Sequence, residues 1–233
     1  MHLVFAPDIA AKDYVLNKEE SMHIIKVLRQ RMDDKIMLTD GKGNFYTALI
    51  MDDNSKGCGV KIIETTREKE RGFALHIAIA PTKNMDRMEW FVEKAVEIGI
   101  DEITPIICTH SERKVVRMDR LEKVMVAAIK QSVKATLPVL NPLIPFKDFI
   151  KIPTTAERFI ANCEEDAATH LGIKYSKGAK AIVLIGPEGD FAPEELVNAA
   201  KSGYQSISLG ASRLRTETAG VVACHTINLM NDI

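Results

Sequence analysis

Apolar residues recur along the chain in two rhythms. From Lys35 to Glu64 they come in short runs, Lys35-Ile-Met-Leu-Thr39, Asn44-Phe-Tyr-Thr-Ala-Leu-Ile50 and Gly59-Val-Lys-Ile-Ile-Glu64. Runs of this length, bounded by Gly, Asn and Asp, predict strands, and Asp40-Gly-Lys-Gly43 predicts a hairpin reversal between the first two. Ahead of them Met22, Ile24, Ile25, Val27 and Leu28 form the apolar side of one helix, with Asn17 as its cap and Glu20 at the capping-box position. Arg29, Gln30 and Arg31 close that helix with charge suited to the C-terminal end of its dipole. Short strands and one helix predict a small barrel that closes at the charged stretch Arg67 to Arg71. Two domains, 1–72 and 73–233, are therefore expected.

After this the runs lengthen and helical spacing enters. Ala74-Leu-His-Ile-Ala-Ile-Ala80 predicts a buried strand ended by Pro81; Thr82 or Asn84 caps a helix whose Met88, Phe91, Val92, Ala95 and Val96 share one face; Ile103-Thr-Pro-Ile-Ile107 is the next strand. Such a β-α-β unit favours a parallel sheet. A helix is expected from about Met118 to Ala135, an extended loop between Pro138 and Pro153, a short strand at Arg158-Phe-Ile-Ala161, and surface structure from Asp166 to Lys180.

The last quarter organises the rest. Ala181-Ile-Val-Leu-Ile185 breaks into Gly186-Pro-Glu-Gly-Asp190 before a helix opened by Pro193, Glu194 and Glu195. Ser206-Ile-Ser-Leu209 breaks at Gly210, and an almost wholly apolar helix follows from Ala219 to Met230. Parallel strands deliver their loops to one edge, where ligands bind, and glycine permits close backbone approach, so both loops are expected to line one pocket. Gly-Pro-x-Gly alone is ordinary turn chemistry. The second loop strengthens the expectation, because it places Arg213, Arg215 and Glu217 between a strand and an apolar helix, where charges sit at the rim of a site or pair with one another.

Composition narrows the class. A chain of 233 residues with 46% apolar content can bury a sizeable core. No apolar run approaches a membrane span and the N-terminus lacks a basic start followed by an apolar core, so a cytoplasmic protein is expected. Cys58, Cys108, Cys163 and Cys224 are scattered, with no C-x-x-C pair and no histidine at ligand spacing, which predicts reduced thiols and no metal. The net charge of −1 does not advertise a nucleic-acid binder. From His110 to Lys134, however, seven basic residues face three acids, which is either a solvated helix face or a stripe that contacts phosphates. The absence of G-x-x-x-x-G-K-[ST] argues against a Walker-type hydrolase.

Leu184-Ile-Gly-Pro-Glu-Gly189, followed by Leu209-Gly210 and Leu214-Arg-Thr-Glu-Thr-Ala219, resembles the ribosomal RNA small-subunit methyltransferase E family of the knotted SPOUT class, enzymes that methylate N3 of a uridine in 16S ribosomal RNA. The resemblance implies an α/β fold, a trefoil-knotted parallel-sheet domain behind a small N-terminal PUA-like β-barrel, and a homodimer acting on 16S ribosomal RNA within the small subunit. It implies S-adenosylmethionine as cofactor, lined by Leu184, Ile185, Gly186, Pro187, Glu188, Gly189, Leu209, Gly210, Leu214, Thr216 and Ala219. Arg215 is then the catalytic cation, stabilising charge on the uracil oxygens, and Glu217 orients it or relays the N3 proton. Arg29, Lys83, Arg113, Lys134 and Arg213 are the expected RNA contacts.

Four places depart from the family pattern, one of them Lys134, which stands for an arginine. Asp190 stands where a second glycine is usual, and its side chain either caps the helix opened by Pro193 or narrows the pocket mouth. Lys130 replaces an acid, and Ser212 with Arg213 displaces an arginine by one step. Two alternatives stay open: the same chemistry on another RNA acceptor, such as a tRNA base or a ribose hydroxyl, and a noncatalytic RNA-binding assembly factor.

Overall fold

The computed structural model describes residues 3–162 and 169–233. Cys163 lies outside the described residues; Cys58, Cys108 and Cys224 are buried and form no disulfide among the described residues. Two compact units are present, one made of 1–70 with 126–137 and the other of 71–125 with 138–233.

The first unit is built on a five-stranded mixed sheet. Its strands are β1 (Leu3–Phe5), β2 (Asp13–Val15), β3 (Lys35–Thr39), β4 (Asn44–Asp52) and β5 (Gly59–Arg67), in the order β1-β3-β4-β5-β2. The expected hairpin is β3 and β4, antiparallel through Leu38 opposite Tyr46. β1 and β2 were not expected, because three-residue strands carry too few positions to show an alternation. Helix α1 (Lys18–Met22) is capped as expected, Glu20 N donating to Asn17 Oδ1 at 2.9 Å. The Glu20 side chain does not complete a capping box, since its carboxylate takes Lys130 Nζ at 2.6 and 2.9 Å. After Met22 the backbone widens into a π-helical turn, His23–Val27, a change of pitch that the apolar spacing did not announce. Ile24, Ile25, Leu38, Ala48, Ile50 and Val60 form this unit's core.

The second unit carries an all-parallel sheet. Its strands are β6 (Ala74–Ile79), β7 (Glu102–Ile107), β8 (Val139–Leu140), β9 (Ile144–Pro145), β10 (Glu157–Ala161), β11 (Lys180–Ile185) and β12 (Gln205–Ile207). The order is β12-β10-β11-β6-β7-β8, with β9 also on β7. The helices are α2 (Met85–Ile98), α3 (Met118–Ser132, whose last residues belong to the first unit), α4 (Phe146–Phe149), α5 (Leu171–Lys174), α6 (Pro193–Lys201) and α7 (Thr216–Asp232). The β6-α2-β7 unit matches expectation: Asn84 caps α2 through Asp86 N at 3.0 Å, and Gly99 ends it at φ +130°. The stretch from Pro138 to Pro153 is not one extended loop. Its prolines bound two short strands and α4, whose Phe146 and Phe149 enter the core. Nor is the segment before β11 all surface, for Leu171 and Tyr175 are buried.

Helix α7 lies close on α2, since a Cβ added at Gly220 would stand 2.6 Å from the Phe91 ring. Asn228 Nδ2 donates to Gly99 O at 2.9 Å, which satisfies a carbonyl at the end of α2. The exit loops of β6, β7, β11 and β12 are thereby held at one edge by strands whose own side chains fill the interior.

Candidate active site

Register brings the strand ends together: Ile185 pairs with Ile79, and Ile79 with Pro105. The loops leaving β6, β7 and β11 therefore start level on the C-terminal edge, which is where open α/β sheets bind ligands. Leu184 and Ile185 are fully buried, so neither presents a side chain to a ligand.

The loop after β11 is tied from three sides. Glu188 Oε1 accepts from Lys83 N, after β6, at 2.9 Å. The His110 ring, after β7, sits with Nδ1 3.0 Å from both Gly189 O and Asp190 O. Glu195 spans two loops, its Oε2 accepting from Ala192 N and its Oε1 from Thr109 N, both at 2.9 Å. Gly189 leaves room for this, since a Cβ there would stand 3.1 Å from His110 Cβ. Pro187 is buried beneath the turn.

Asp190 keeps the backbone conformation that glycine favours, with φ +60°. Aspartate is among the few residues that adopt it at modest cost. Its Oδ1 accepts from Phe191 N at 2.8 Å, and the N-cap of α6 is Ala192, so the expected capping of that helix by Asp190 is replaced by a bond to its own neighbour.

The second loop meets the first at one direct contact. Thr216 Oγ1 donates to Gly186 O at 3.0 Å, joining the start of α7 to the exit of β11. Gly210, at φ +127°, faces open space, since a Cβ there would meet nothing within 4 Å. Leu209, Leu214 and Ala219 are half-buried. The cofactor candidates Gly186, Leu209, Gly210 and Leu214 thus belong to two loops, and Thr216 and Ala219 to the first turn of α7, which is tied to the first of them. Bare backbone beside open space suits a ligand recognised by main-chain groups.

The two catalytic candidates stand in different surroundings. Arg215 is exposed at the N-cap of α7 and its side chain has no ion-pair partner among the described residues. Glu217, in the first turn of α7, is buried and pairs with Arg87 of α2, Nε to Oε1 at 3.7 Å. Its other oxygen, Oε2, is buried with no hydrogen-bond partner among the described residues. A buried carboxylate oxygen without a donor is costly unless a group absent from the protein supplies one. The structure therefore separates Glu217 from Arg215 and gives it to Arg87.

The basic stretch is largely paired. Arg113 donates to the carbonyls of Thr82 and Lys83, Arg117 pairs with Asp119, and Arg120 with Asp86 and Glu89. Lys83 pairs with Glu112 at 2.8 Å, while Arg213 is exposed. Lys134 is half-buried at the end of α3 and engaged. Arg29, in the first unit, is exposed at φ +58°. Sequence reading missed His110 and Glu195, which hold the first loop; the signal available was their position, one after a strand of the parallel sheet and one in the first turn of a helix. Among the described residues there is no cluster that could hold a metal ion, and no helix is long and apolar enough to cross a membrane.

A family model described as an RNA methyltransferase domain matches residues 69–228, and one described as an RNA methyltransferase PUA domain matches residues 16–63. Among curated proteins, the ribosomal RNA small subunit methyltransferase E of Rickettsia conorii is 28% identical, over 92% of this chain and 89% of its own length. A probable rRNA-methyltransferase from Porphyromonas gingivalis superposes with a TM-score of 0.94 at 42% identity, covering 100% of this chain and 99% of the other. The ribosomal RNA small subunit methyltransferase E of Neisseria gonorrhoeae, solved bound to S-adenosyl methionine, superposes with a TM-score of 0.87 at 28% identity, covering 99% and 98%.

Proposed function

Because the chain belongs to the RNA methyltransferase family, among the ribosomal RNA small subunit methyltransferases E, we propose that it transfers a methyl group from S-adenosylmethionine to N3 of one uridine in 16S ribosomal RNA. The observation that carries this reading is the Thr216 to Gly186 hydrogen bond, which holds both glycine-bearing loops at one place. When bound, S-adenosylmethionine supplies an electrophilic sulfonium methyl.

The residues at hand fit such a group. Gly186, Leu209 and Gly210 offer main-chain donors and acceptors for an adenine edge and an amino-acid end, with Leu214 and Ala219 as apolar walls. Uridine N3 is a weak acid, so its proton must leave as the nitrogen becomes a nucleophile, and negative charge spreads to O2 and O4. Arg215, exposed and without an ion-pair partner among the described residues, stabilises that charge. Glu217 relays the proton, because its Oε2 has no donor among the described residues. Arg87 holds the other oxygen and keeps the carboxylate aimed.

The target base must be unpaired or flipped out to reach such a site. Arg29 of the PUA domain and Arg213 of the methyltransferase domain contact its RNA phosphates, and a second copy of the chain completes the active form, a role that suits the 43% exposure of Trp90 on α2. Nucleoside analysis of small-subunit RNA from cells with and without the gene tests the reading. Loss of one 3-methyluridine is expected; an unchanged nucleoside profile would overturn it.

A further inference from the structure

At the opposite edge of the parallel sheet lies a cavity of about 620 Å³, within the range of small-molecule sites. Ala74, Glu102 and Lys180, which begin β6, β7 and β11, line it. Six-residue strands put it roughly 20 Å from the loops at the other edge. Phe149, Ile144, Ile182 and Tyr204 form an apolar wall, and Ile152, 50% exposed, also lines it.

One wall is polar, and its wiring can be followed atom by atom. Asn141 Nδ2 donates to Glu102 Oε1 at 2.5 Å and to Thr104 Oγ1 at 2.8 Å. Thr104 Oγ1 thus accepts from Asn141 and has its own proton for His76 Nε2, 2.7 Å away. With Thr104 donating to Nε2, the His76 proton sits on Nδ1, which faces Glu102 Oε2 at 3.5 Å. Burial lowers the pKa of His76, Glu102 acting the other way, so the ring is neutral. The groups that touch the Glu102 carboxylate, Asn141 and His76, are therefore uncharged donors, and Lys180, which lines the same cavity, makes no ion pair with it. The neighbouring Asp101 has Arg71 at 2.5 Å, whereas Glu102 has no lysine or arginine partner among the described residues. A carboxylate on the wall of a mostly apolar cavity, held in place and without a lysine or arginine ion pair among the described residues, complements a cation.

We propose that this cavity is a second small-molecule site, separate from the loops of the active site, that takes a compact amine: an aromatic or aliphatic body on the Phe149 and Ile182 wall and a protonated nitrogen on Glu102. The inference stands whether or not the methyl-transfer reading does, because it uses none of the same residues.

The test titrates the full chain, with and without S-adenosylmethionine, with 2-phenylethylamine and with 2-phenylethanol, following backbone amide resonances. Saturable shifts at Leu75, Thr104 and Ile182 are expected with the amine in both conditions, with at least fivefold weaker binding of the alcohol. Glu102→Gln should remove that preference, leaving the alcohol unchanged. Because Glu102 is partly exposed, this variant is expected to fold; Ile152→Lys, at an exposed lining position, supplies a second check by weakening the amine alone. Equal binding of amine and alcohol, indifference to both substitutions, shifts confined to Gly186 to Asp190, or no saturable binding would each overturn the proposal.

Discussion

Arg87 Nε lies 3.7 Å from Oε1 of Glu217, while Oε2 of the same carboxylate is buried with no donor among the described residues. One oxygen is held by a cation on α2 and the other is left for a visitor. If that visitor is the N3 proton, Glu217→Gln should lower kcat at least a hundredfold with little change in cofactor affinity, since general acid–base catalysis contributes about that much. Arg87→Met should cost less and shift the pH profile of kcat, which a purely structural loss would not do. Steady-state kinetics across pH separates these outcomes.

Arg215 makes a different prediction because it is exposed and has no ion-pair partner among the described residues. Arg215→Ala should leave folding and cofactor binding intact and reduce transfer about 100- to 1000-fold, the range for removing one donor that stabilises transition-state charge. Arg215→Lys should recover only part, since a point charge cannot reproduce a planar fork. Single-turnover rates with saturating RNA provide the check.

Thr216→Val removes the bond to Gly186 O while keeping shape. A net hydrogen bond is worth about 1 kcal/mol, so S-adenosylmethionine affinity should fall roughly fivefold, measurable by calorimetry, with thermal stability changed little. Unaltered affinity would mean that the contact between the loops does not organise the pocket.

Gly220→Ala tests packing. A Cβ there would meet the buried Phe91 ring at 2.6 Å and Ile79 at 3.0 Å, neither of which has room to retreat. A loss of about 1–3 kcal/mol in denaturant unfolding is expected, typical of overpacking.

Asp40 gives the first unit a dependence on pH. Burial acts to raise its pKa, but hydrogen bonds from the Asn44 side chain, the amides of Lys42 and Asn44, and Tyr46 outweigh this and lower it. A carboxyl whose folded pKa lies below its unfolded value contributes stability above the unfolded pKa, and that contribution is lost as pH falls through the folded one. Stability should therefore decline below about pH 4, and Asp40→Asn should flatten that part of the profile in thermal unfolding followed by circular dichroism.

Much of the fold was legible because its elements are long and strongly patterned. The Ala74 and Ala181 runs could only be buried strands, and the spacing from Met88 to Val96 only a helix face. What escaped was short or set by tertiary contact. Three-residue strands show no period, and prolines from Pro138 to Pro153 marked turns without showing that Phe146 and Phe149 enter the core. The site was legible as two glycine-bearing loops, since that signal is local. The pairing of Glu217 with Arg87 was not, because nothing in a sequence says which face of α2 meets the start of α7.

Incubating the purified protein with small-subunit RNA or subunits and S-adenosylmethionine labelled in its methyl group, then digesting the RNA to nucleosides, bears most directly on the whole account. Label is predicted in 3-methyluridine alone, and only with Arg215 and Glu217 intact. Label in a ribose methyl or another base, or transfer undiminished in Arg215→Ala, would contradict it.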